Sequence, residues 1–301
     1  MKTIELQLRK VYLAALFIFV ALSVSAAQSV KRPLRVAILD FGDTQTGLRV
    51  TDKLVQAMAL GDEFQVIDRD QTRAAVRGTD YRGSLNMNVE DARDLGAAID
   101  CDFFFTGEAQ TLRRSSSDNP IYFEAYVSVF LVSARTGRLV TWGKALAKQS
   151  TSNEAEATLL SDLASPSVIQ PYQLAMRQAV EAERAERAHA IESGAPVIEI
   201  MADEKGDDRN ATRPPRPYRR LKPEYPQTAA LAEVEATVDV LVDVDEKGEV
   251  GHAEIARWAG YGLDQSVLDT VKQLHFFPAM RDGVAVPMRV LLRYNFRKPP
   301  K

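Results

Sequence analysis

Acidic side chains follow two predicted strands at their carboxyl ends, where α/β proteins commonly bind ligands. Asp40 and Asp43 lie at the end of one predicted strand, and Asp68 and Asp70 lie at the end of another. Such carboxylates could bind a ligand or support catalysis, but acidic residues also cap helices and solvate turns. We prefer the structural interpretation, because the sequence contains no Gly-x-Gly-x-x-Gly, Walker A or Gly-x-Ser-x-Gly motif. A ligand-binding protein or an enzyme that uses these strand-end carboxylates is the alternative.

The residue types that most often bind metals are scattered along the chain. His189 lies in a charged helical stretch, His252 in a predicted strand and His275 at a predicted helix end, without the short spacing of a metal site. The acidic turn around Lys247 is better explained as a hairpin turn than as a calcium loop, because a lysine stands where that loop needs an oxygen ligand. Cys101 is the single cysteine, which excludes an intramolecular disulfide and a Cys-rich zinc site. We therefore predict no metal, no cofactor, no catalytic residue and no enzymatic activity.

Composition favours two folded units and argues against nucleic acid as a partner. The chain has 301 residues, of which 46% are hydrophobic, whereas single domains commonly hold about 100–200 residues. The 38 basic and 41 acidic residues leave a formal charge of -3. Such a balance gives no global electrostatic attraction to nucleic acid.

The N-terminus has the order of a secretory signal. Basic residues precede an apolar run at 11–24, and the small residues at 25–27 follow. We predict a signal peptide at 1–27, cleaved near Ala27, and a mature protein in the periplasm. The alternative is an inner-membrane anchor facing the periplasm, because residues 11–27 approach the length of about 17–25 residues that spans a bilayer.

Residues 34–192 are predicted to form an α/β domain. Apolar runs rich in Val, Ile and Phe are typical of buried strands, and residues at helical spacing separate the first three of them. The order β-α-β-α-β-β-β predicts a mixed sheet with flanking helices. The predicted strands are 35–41, 64–68, 103–106, 121–132 and 138–148, and the predicted helices include 89–99 and 170–192.

A second, smaller domain is predicted at 218–301, after a linker at 193–217. Apolar residues nearly vanish in the linker, whereas Pro, Asp and Asn accumulate there. Alternating valines at 238–244 and alternating apolar residues at 288–296 then predict strands with one buried face. The fold class is therefore α/β (mixed α+β), with an N-terminal mixed sheet and a small C-terminal β-β-α-β domain.

Several short motifs in this second domain have a familiar order and spacing. They are Pro223-Glu-Tyr-Pro226, Asp245-Glu-Lys-Gly248, Leu263-Asp264, Phe276-Phe-Pro-Ala279 and Asp282-Gly283. Over residues 218–297 the chain resembles the C-terminal domain of TonB energy transducers. The resemblance implies a non-enzymatic domain that binds a short segment of an outer-membrane receptor in TonB-dependent transmembrane transport. The N-terminal apolar run differs from that of TonB, because it lacks the His and Ser pair through which TonB engages its proton-driven motor.

The first domain resembles the CsgG/TolB-N/FlgO group of envelope proteins over residues 35–148. The motifs that carry the resemblance are Val36-Ala-Ile-Leu-Asp-Phe41, Phe64-Gln-Val-Ile-Asp-Arg69, Leu95-Gly96 and Thr136-Gly-Arg-Leu-Val140. This resemblance implies an alternative function, an oligomeric scaffold in outer-membrane assembly or secretion. A homo-oligomer is accordingly an alternative partner.

We expect the last strand to bind a partner peptide by strand addition. The predicted contact residues are Tyr225 and Pro226 in the extended segment before the first strand of this domain, and Arg289, Val290, Leu291, Leu292 and Arg293 in the last strand. The predicted partner is an outer-membrane TonB-dependent receptor or another envelope protein. The basic run from Arg213 to Lys222 is interpreted as solubilising a Pro-rich linker, with an anionic lipid or an acidic surface as the alternative contact.

Overall fold

The computed structural model describes most of the chain from residue 32 onward. The described ranges are 32–59, 62–115, 121–193 and 213–298. The signal peptide or anchor predicted at 1–27 and residues 194–212 of the predicted linker lie outside the described residues. Within the described ranges, none of the helices combines the length and the apolar character needed to cross a bilayer. The unit from Leu34 onward is described below as an N-terminal lobe, residues 34–193, and a C-terminal lobe, residues 213–298.

The N-terminal lobe alternates strands and helices before three long strands and two final helices. Its elements are β1 Leu34–Ile38, α1 Gln45–Met58, β2 Phe64–Val66, α2 Arg69–Arg77, α3 Val89–Ile99, β3 Phe103–Arg114, β4 Tyr122–Ser133, β5 Leu139–Gln149, α4 Ser152–Leu163 and α5 Pro166–Ser193. The prediction of one helix between the second and third strands was wrong, because α2 and α3 both lie there. Asp68, expected within a strand, instead caps α2 by accepting hydrogen bonds from the amides of Asp70 and Gln71.

The strands of this lobe form one mixed sheet in the order β2-β1-β3-β4-β5. β1 runs parallel to β2 and to β3, whereas β3, β4 and β5 are successively antiparallel. Val36, Ala37 and Ile38 of β1 are buried, as expected for a parallel strand covered on both faces. The predicted mixed sheet with flanking helices is therefore confirmed.

The two faces of this sheet are covered by different parts of the chain. On one face, Val50 and Leu54 of α1 belong to the same core as Phe105 of β3 and residues of α4 and α5. On the other face, Leu95 of α3 and Phe130 of β4 share a core with the valines of the C-terminal lobe. The sheet is thus a middle layer, with α1, α4 and α5 on one side and α3 together with the C-terminal lobe on the other.

The C-terminal lobe contains the predicted β-β-α-β arrangement and an additional hairpin. Its elements are β6 Arg216–Pro217, α6 Gln227–Leu231, β7 Ala236–Val244, β8 Val250–Arg257, α7 Leu263–Val271, β9 Phe276–Phe277, β10 Ala279–Arg281, β11 Val284–Val286 and β12 Met288–Phe296. The main sheet has the order β12-β7-β8. Its buried face is made by the alternating valines of β7, which pack with Val267 and Val271 of α7.

Trp258, just after β8, joins the two lobes. Its side chain is 1% exposed, its ring stacks on Phe130 of β4 with 5.9 Å between centroids, and its Nε1 donates a hydrogen bond to the Gly137 carbonyl at 3.1 Å. Gly137 has a φ of 71°, and a Cβ there would stand 1.9 Å from the Val89 carbonyl oxygen. Only glycine fits this close approach to the first residue of α3, and the Gly137 carbonyl is thereby placed where Trp258 binds it.

Residues 86–88 of the N-terminal lobe pair with the end of β8. The Trp258 amide donates to the Met87 carbonyl at 3.1 Å, and Asn88 forms a β-bridge with Arg257. The Asn86 side chain donates to the Thr237 and Trp258 carbonyls and accepts from the Thr237 amide. Polar groups that would otherwise be unsatisfied at this junction are therefore hydrogen-bonded.

Asp264 fixes the loop between Trp258 and α7. Its two carboxylate oxygens accept hydrogen bonds from the Ala259 and Gly260 amides, each at 2.8 Å. Burial raises the pKa of this carboxyl to about 6, against the opposing effect of the two amides. The Asp264 side chain thus closes the loop that presents Trp258 to the N-terminal lobe.

Candidate functional site

β12 is an edge strand of the C-terminal sheet. All of its residues are in register with β7, from Met288 opposite Val244 to Phe296 opposite Ala236. Among the described strands it pairs with β7 alone. Because the backbone groups of an edge strand alternate in direction, every second N–H and C=O along β12 points away from the sheet. This edge is a regular hydrogen-bonding surface for another extended chain.

The side chains of β12 alternate between the core and the solvent as predicted. Met288 and Phe296 are buried, and Val290, Leu292 and Tyr294 pack against the core. Val290 and Leu292, which were predicted to contact a partner, therefore direct their side chains into the core. Strand addition would use the backbone groups of these two residues.

The outward face of β12 carries charged pairs with β7. Arg289 binds Asp243 with both carboxylate oxygens engaged, and Arg293 binds Asp239 at 2.7 Å and 3.0 Å. Arg257 of β8 also donates to Asp239 at 3.2 Å. Burial opposes ionisation of Asp239, whose side chain is 6% exposed, but the hydrogen bonds from the two arginines outweigh it and lower the pKa. These pairs hold the three strands together across their outer face.

Leu291 lies between the two arginines and is 52% exposed. It is the apolar side chain that β12 presents outward, with Arg289, Arg293 and Asn295 as its neighbours on the same face. The sequence pattern placed these four residues on one face, and the structure brings them together. The acidic partners of the two arginines were not predicted, although Asp239 and Asp243 have the same spacing as Arg293 and Arg289.

The end of the predicted linker is part of this site. Arg213 exchanges backbone hydrogen bonds with Met280, Arg216 and Pro217 pair with β9, and the Tyr218 amide donates to the His275 carbonyl at 2.8 Å. Residues 213–223, here called the arm, therefore add a strand to the segment 275–281. Pro215 and Pro223 of the arm are buried, and Leu221 packs against the core.

A groove of about 510 Å³ lies between the arm and β12. Its walls are residues 217 and 220–223 of the arm on one side and 291–296 of β12 on the other, with Leu274 between them. The sequence did not predict this groove, because the position of the arm depends on its pairing with residues 276–280, which are distant along the chain. The free edge of β12 thus borders a concave surface rather than open solvent.

Comparison with protein families identifies this lobe. Residues 222–297 match the family model described as Gram-negative bacterial TonB protein C-terminal. Residues 222–297 are a TonB C-terminal domain. The resemblance predicted over 218–297 is confirmed, whereas the one between residues 35–148 and the CsgG/TolB-N/FlgO group is not confirmed.

Several solved structures are similar to parts of the chain. The solution structure of the TonB C-terminal domain of Pseudomonas aeruginosa has 20% identity and a TM-score of 0.26, covering 32% of this chain and 93% of that one. The LpoB C-terminal domain from Salmonella enterica has 15% identity and a TM-score of 0.28, covering 42% and 91%. Lipoprotein GNA1162 from Neisseria meningitidis has 14% identity and a TM-score of 0.32, covering 47% and 99%. None of the curated proteins matches the chain.

Tyr225 and Pro226 follow the arm along the chain and lie in different surroundings. The Tyr225 hydroxyl donates to the Val234 carbonyl at 2.5 Å, and its ring lies 6.1 Å from that of Phe296 at the end of β12. Pro226 occupies the N-cap position of α6 and lines a separate depression beside α7. Of the predicted site residues, Tyr225 thus meets β12, whereas Pro226 faces α7.

The strand-end carboxylates of the N-terminal lobe are engaged in structural contacts. Asp40 accepts hydrogen bonds from Arg69 at 2.9 Å and from Arg73 at 2.8 Å. Burial raises the pKa of Asp40, but these two arginines outweigh that effect and lower it. The sequence missed both arginines, because they lie on a helix that was not predicted. A cleft of about 910 Å³ adjoins Asp40 and Asp43.

The residues that could bind metal lie far apart. His275 pairs with Glu249 at 3.0 Å, while His252 lies on β8 and His189 on α5. Within the described ranges, no three His, Cys, Asp or Glu residues are grouped to hold a metal ion. Burial raises the pKa of the Cys101 thiol to about 12, which keeps it protonated at neutral pH.

Proposed function

We propose that this chain is a cell-envelope protein with its TonB C-terminal domain in the periplasm, where it captures an extended segment of a partner by strand addition to β12. The partner is an outer-membrane TonB-dependent receptor or another envelope protein. This role is binding rather than catalysis, consistent with the structural contacts of Asp40 and Asp68.

The free edge of β12 carries this proposal. An uninterrupted register with β7 leaves the N–H and C=O groups of every second residue of β12 directed to the outer edge. The groove along residues 291–296 leaves room for a further chain, which would lie about 4.8 Å from β12 in a paired sheet. Main-chain hydrogen bonds would supply the affinity, and side chains in the groove would supply selectivity.

Photo-cross-linking in living cells tests the assignment on the full chain. A photoreactive amino acid replaces Leu291 on β12 in one strain and Leu174 on α5 in a control strain. The two leucines are matched, because they are 52% and 50% exposed. We expect adducts with an outer-membrane receptor or envelope protein from position 291 and not from position 174.

Mapping the adduct decides the outcome. Cross-links within one short segment of the partner support strand capture at β12. The same adducts from both positions, or adducts from position 174 alone, contradict it. A Leu292→Pro substitution provides a second readout, because it removes a backbone donor from β12 and distorts the edge, which lowers the yield of the specific adduct.

A further inference from the structure

The arm carries a cluster of positive charge that the described residues do not compensate. Its cations are all exposed, and within the described part of the chain none of them forms an ion pair. They are Arg213, Arg216, Arg219, Arg220 and Lys222. Among the described residues, Glu224 at the far end of the arm is the nearest acidic residue along the chain, and it lines the depression beside α7 instead of the groove.

The cations of β12 differ from those of the arm. Arg289 and Arg293 on β12 each bind an aspartate of β7 through two hydrogen bonds, so their charge is neutralised within the sheet. Arg220 and Lys222 line the opposite wall of the groove without such a partner. The unbalanced charge of the groove therefore lies on the arm wall.

The backbone that carries these charges is held in place. It is hydrogen-bonded to residues 275–280, and Pro215, Leu221 and Pro223 are buried or packed against the core. A solvated linker would spread its charge over many conformations. A paired arm instead presents a row of cations alongside the strand that a partner would join.

We infer that the captured segment is an acidic extended peptide whose carboxylates face the arm. The inference rests on the proposed strand addition and names the chemistry of its ligand. β12 supplies the main-chain pairing, and Arg220 and Lys222 at the groove, with Arg219 beside them, supply charge complementarity. A peptide fits better than a lipid surface, because Arg220 and Lys222 lie in a concave groove beside free backbone groups and not on a protruding face.

Three synthetic peptides of about ten residues, the length of a long strand, test the inference. Each has the same alternating valines, and the intervening positions hold glutamate, glutamine or lysine. Binding to the full chain is measured by fluorescence anisotropy at several salt concentrations. We expect the glutamate peptide to bind about tenfold tighter than the glutamine peptide at low salt, and the difference to shrink as salt screens the charges.

Two variants locate the effect. The triple variant Arg219→Gln, Arg220→Gln, Lys222→Gln should bind the glutamate and glutamine peptides equally. The double variant Arg77→Gln, Arg93→Gln is the control, because it removes exposed cations from helices of the N-terminal lobe, and it should keep the tenfold preference. Circular dichroism confirms that both variants are folded.

The outcomes separate this inference from the proposed function. Equal binding of all three peptides would overturn the acidic preference and leave strand capture standing. Binding of none of them contradicts strand capture and the inference together. Salt-sensitive binding to phosphatidylglycerol vesicles that the triple variant loses, without a preference among peptides, would assign the arm to a lipid surface and overturn the inference.

Discussion

β8 and β12 are the outer strands of the same three-stranded sheet, yet their surroundings differ. The end of β8 is paired with residues 86–88 of the N-terminal lobe, and Trp258 beyond it is buried between the lobes. The free edge of β12 faces the groove beside the arm. One edge of the sheet thus holds the two lobes together, while the other remains available to a partner.

The difference shows how a small sheet can be fixed to the N-terminal lobe at one edge and leave the other edge unpaired. An exposed edge strand invites uncontrolled pairing with other chains. Here the arm lies beside that edge, and prolines at 214, 215 and 217 remove backbone donors from the arm itself. Pairing is therefore directed to β12, which has no proline between Met288 and Phe296.

Removing the anchor should have the largest effect on stability. Trp258→Ala leaves a cavity between the lobes and removes the hydrogen bond to Gly137, so we expect the free energy of unfolding to fall by about 3–5 kcal/mol. Equilibrium urea unfolding of the full chain measures it. Phe277→Ala, at an exposed aromatic of the same lobe, is the control and should cost less than about 1 kcal/mol. Similar losses for both variants would show that Trp258 is no anchor.

Asp264, beside the junction of the two lobes, should make the free energy of unfolding depend on pH. Its pKa is about 6 in the folded chain and near 3.9 in an unfolded one. Between these values the folded protein retains a proton that the unfolded chain has lost, so the free energy of unfolding falls by about 3 kcal/mol as pH rises through this window. The Asp264→Asn variant should lose this fall in the free energy of unfolding, which urea unfolding measures at several values from about pH 4 to 7. If the free energies of unfolding of the variant and the natural protein differ by the same amount at every pH in this range, the assignment to Asp264 is wrong.

The smallest effect on stability is expected at the free edge. Leu291→Ala removes a half-exposed side chain that points away from the core, so the free energy of unfolding should change by less than about 0.5 kcal/mol. Binding of the glutamate peptide should nevertheless weaken, because Leu291 is the apolar group beside the groove. Thermal unfolding measures the stability and fluorescence anisotropy measures the peptide binding of the same samples. A large loss of stability would mean that this edge also supports the fold.

Periodicity predicted the C-terminal sheet well, because its strands bury one face each. The valines at 238–244 and the apolar residues from Met288 to Phe296 alternate over whole strands, so both strands and their buried faces could be inferred from local pattern. Gly248, with a φ of 85°, marks the turn between β7 and β8. These features depend on neighbours in the sequence, which is why sequence reasoning found them.

The arm and the junction could not be predicted, because they depend on residues distant in sequence. Residues 213–217 have the composition of a linker, and only their pairing with the segment after α7 orders them. In the sequence, Trp258 is a single aromatic residue after a strand. Its role at the junction depends on the hydrogen bond that it donates to Gly137, more than a hundred positions earlier in the chain. The domain boundaries and the partner residues remain predictions.

The register of β12 with β7 has a mechanical meaning for a tethered partner. If a captured segment is pulled along the axis of β12, all of the hydrogen bonds between the segment and β12 are loaded in shear at once. A pull perpendicular to the strand would break these hydrogen bonds one after another. The paired backbone runs without a break from Met288 to Phe296. Through β7, β8 and the hydrogen bonds of Asn86, tension applied at this edge would pass into the N-terminal lobe.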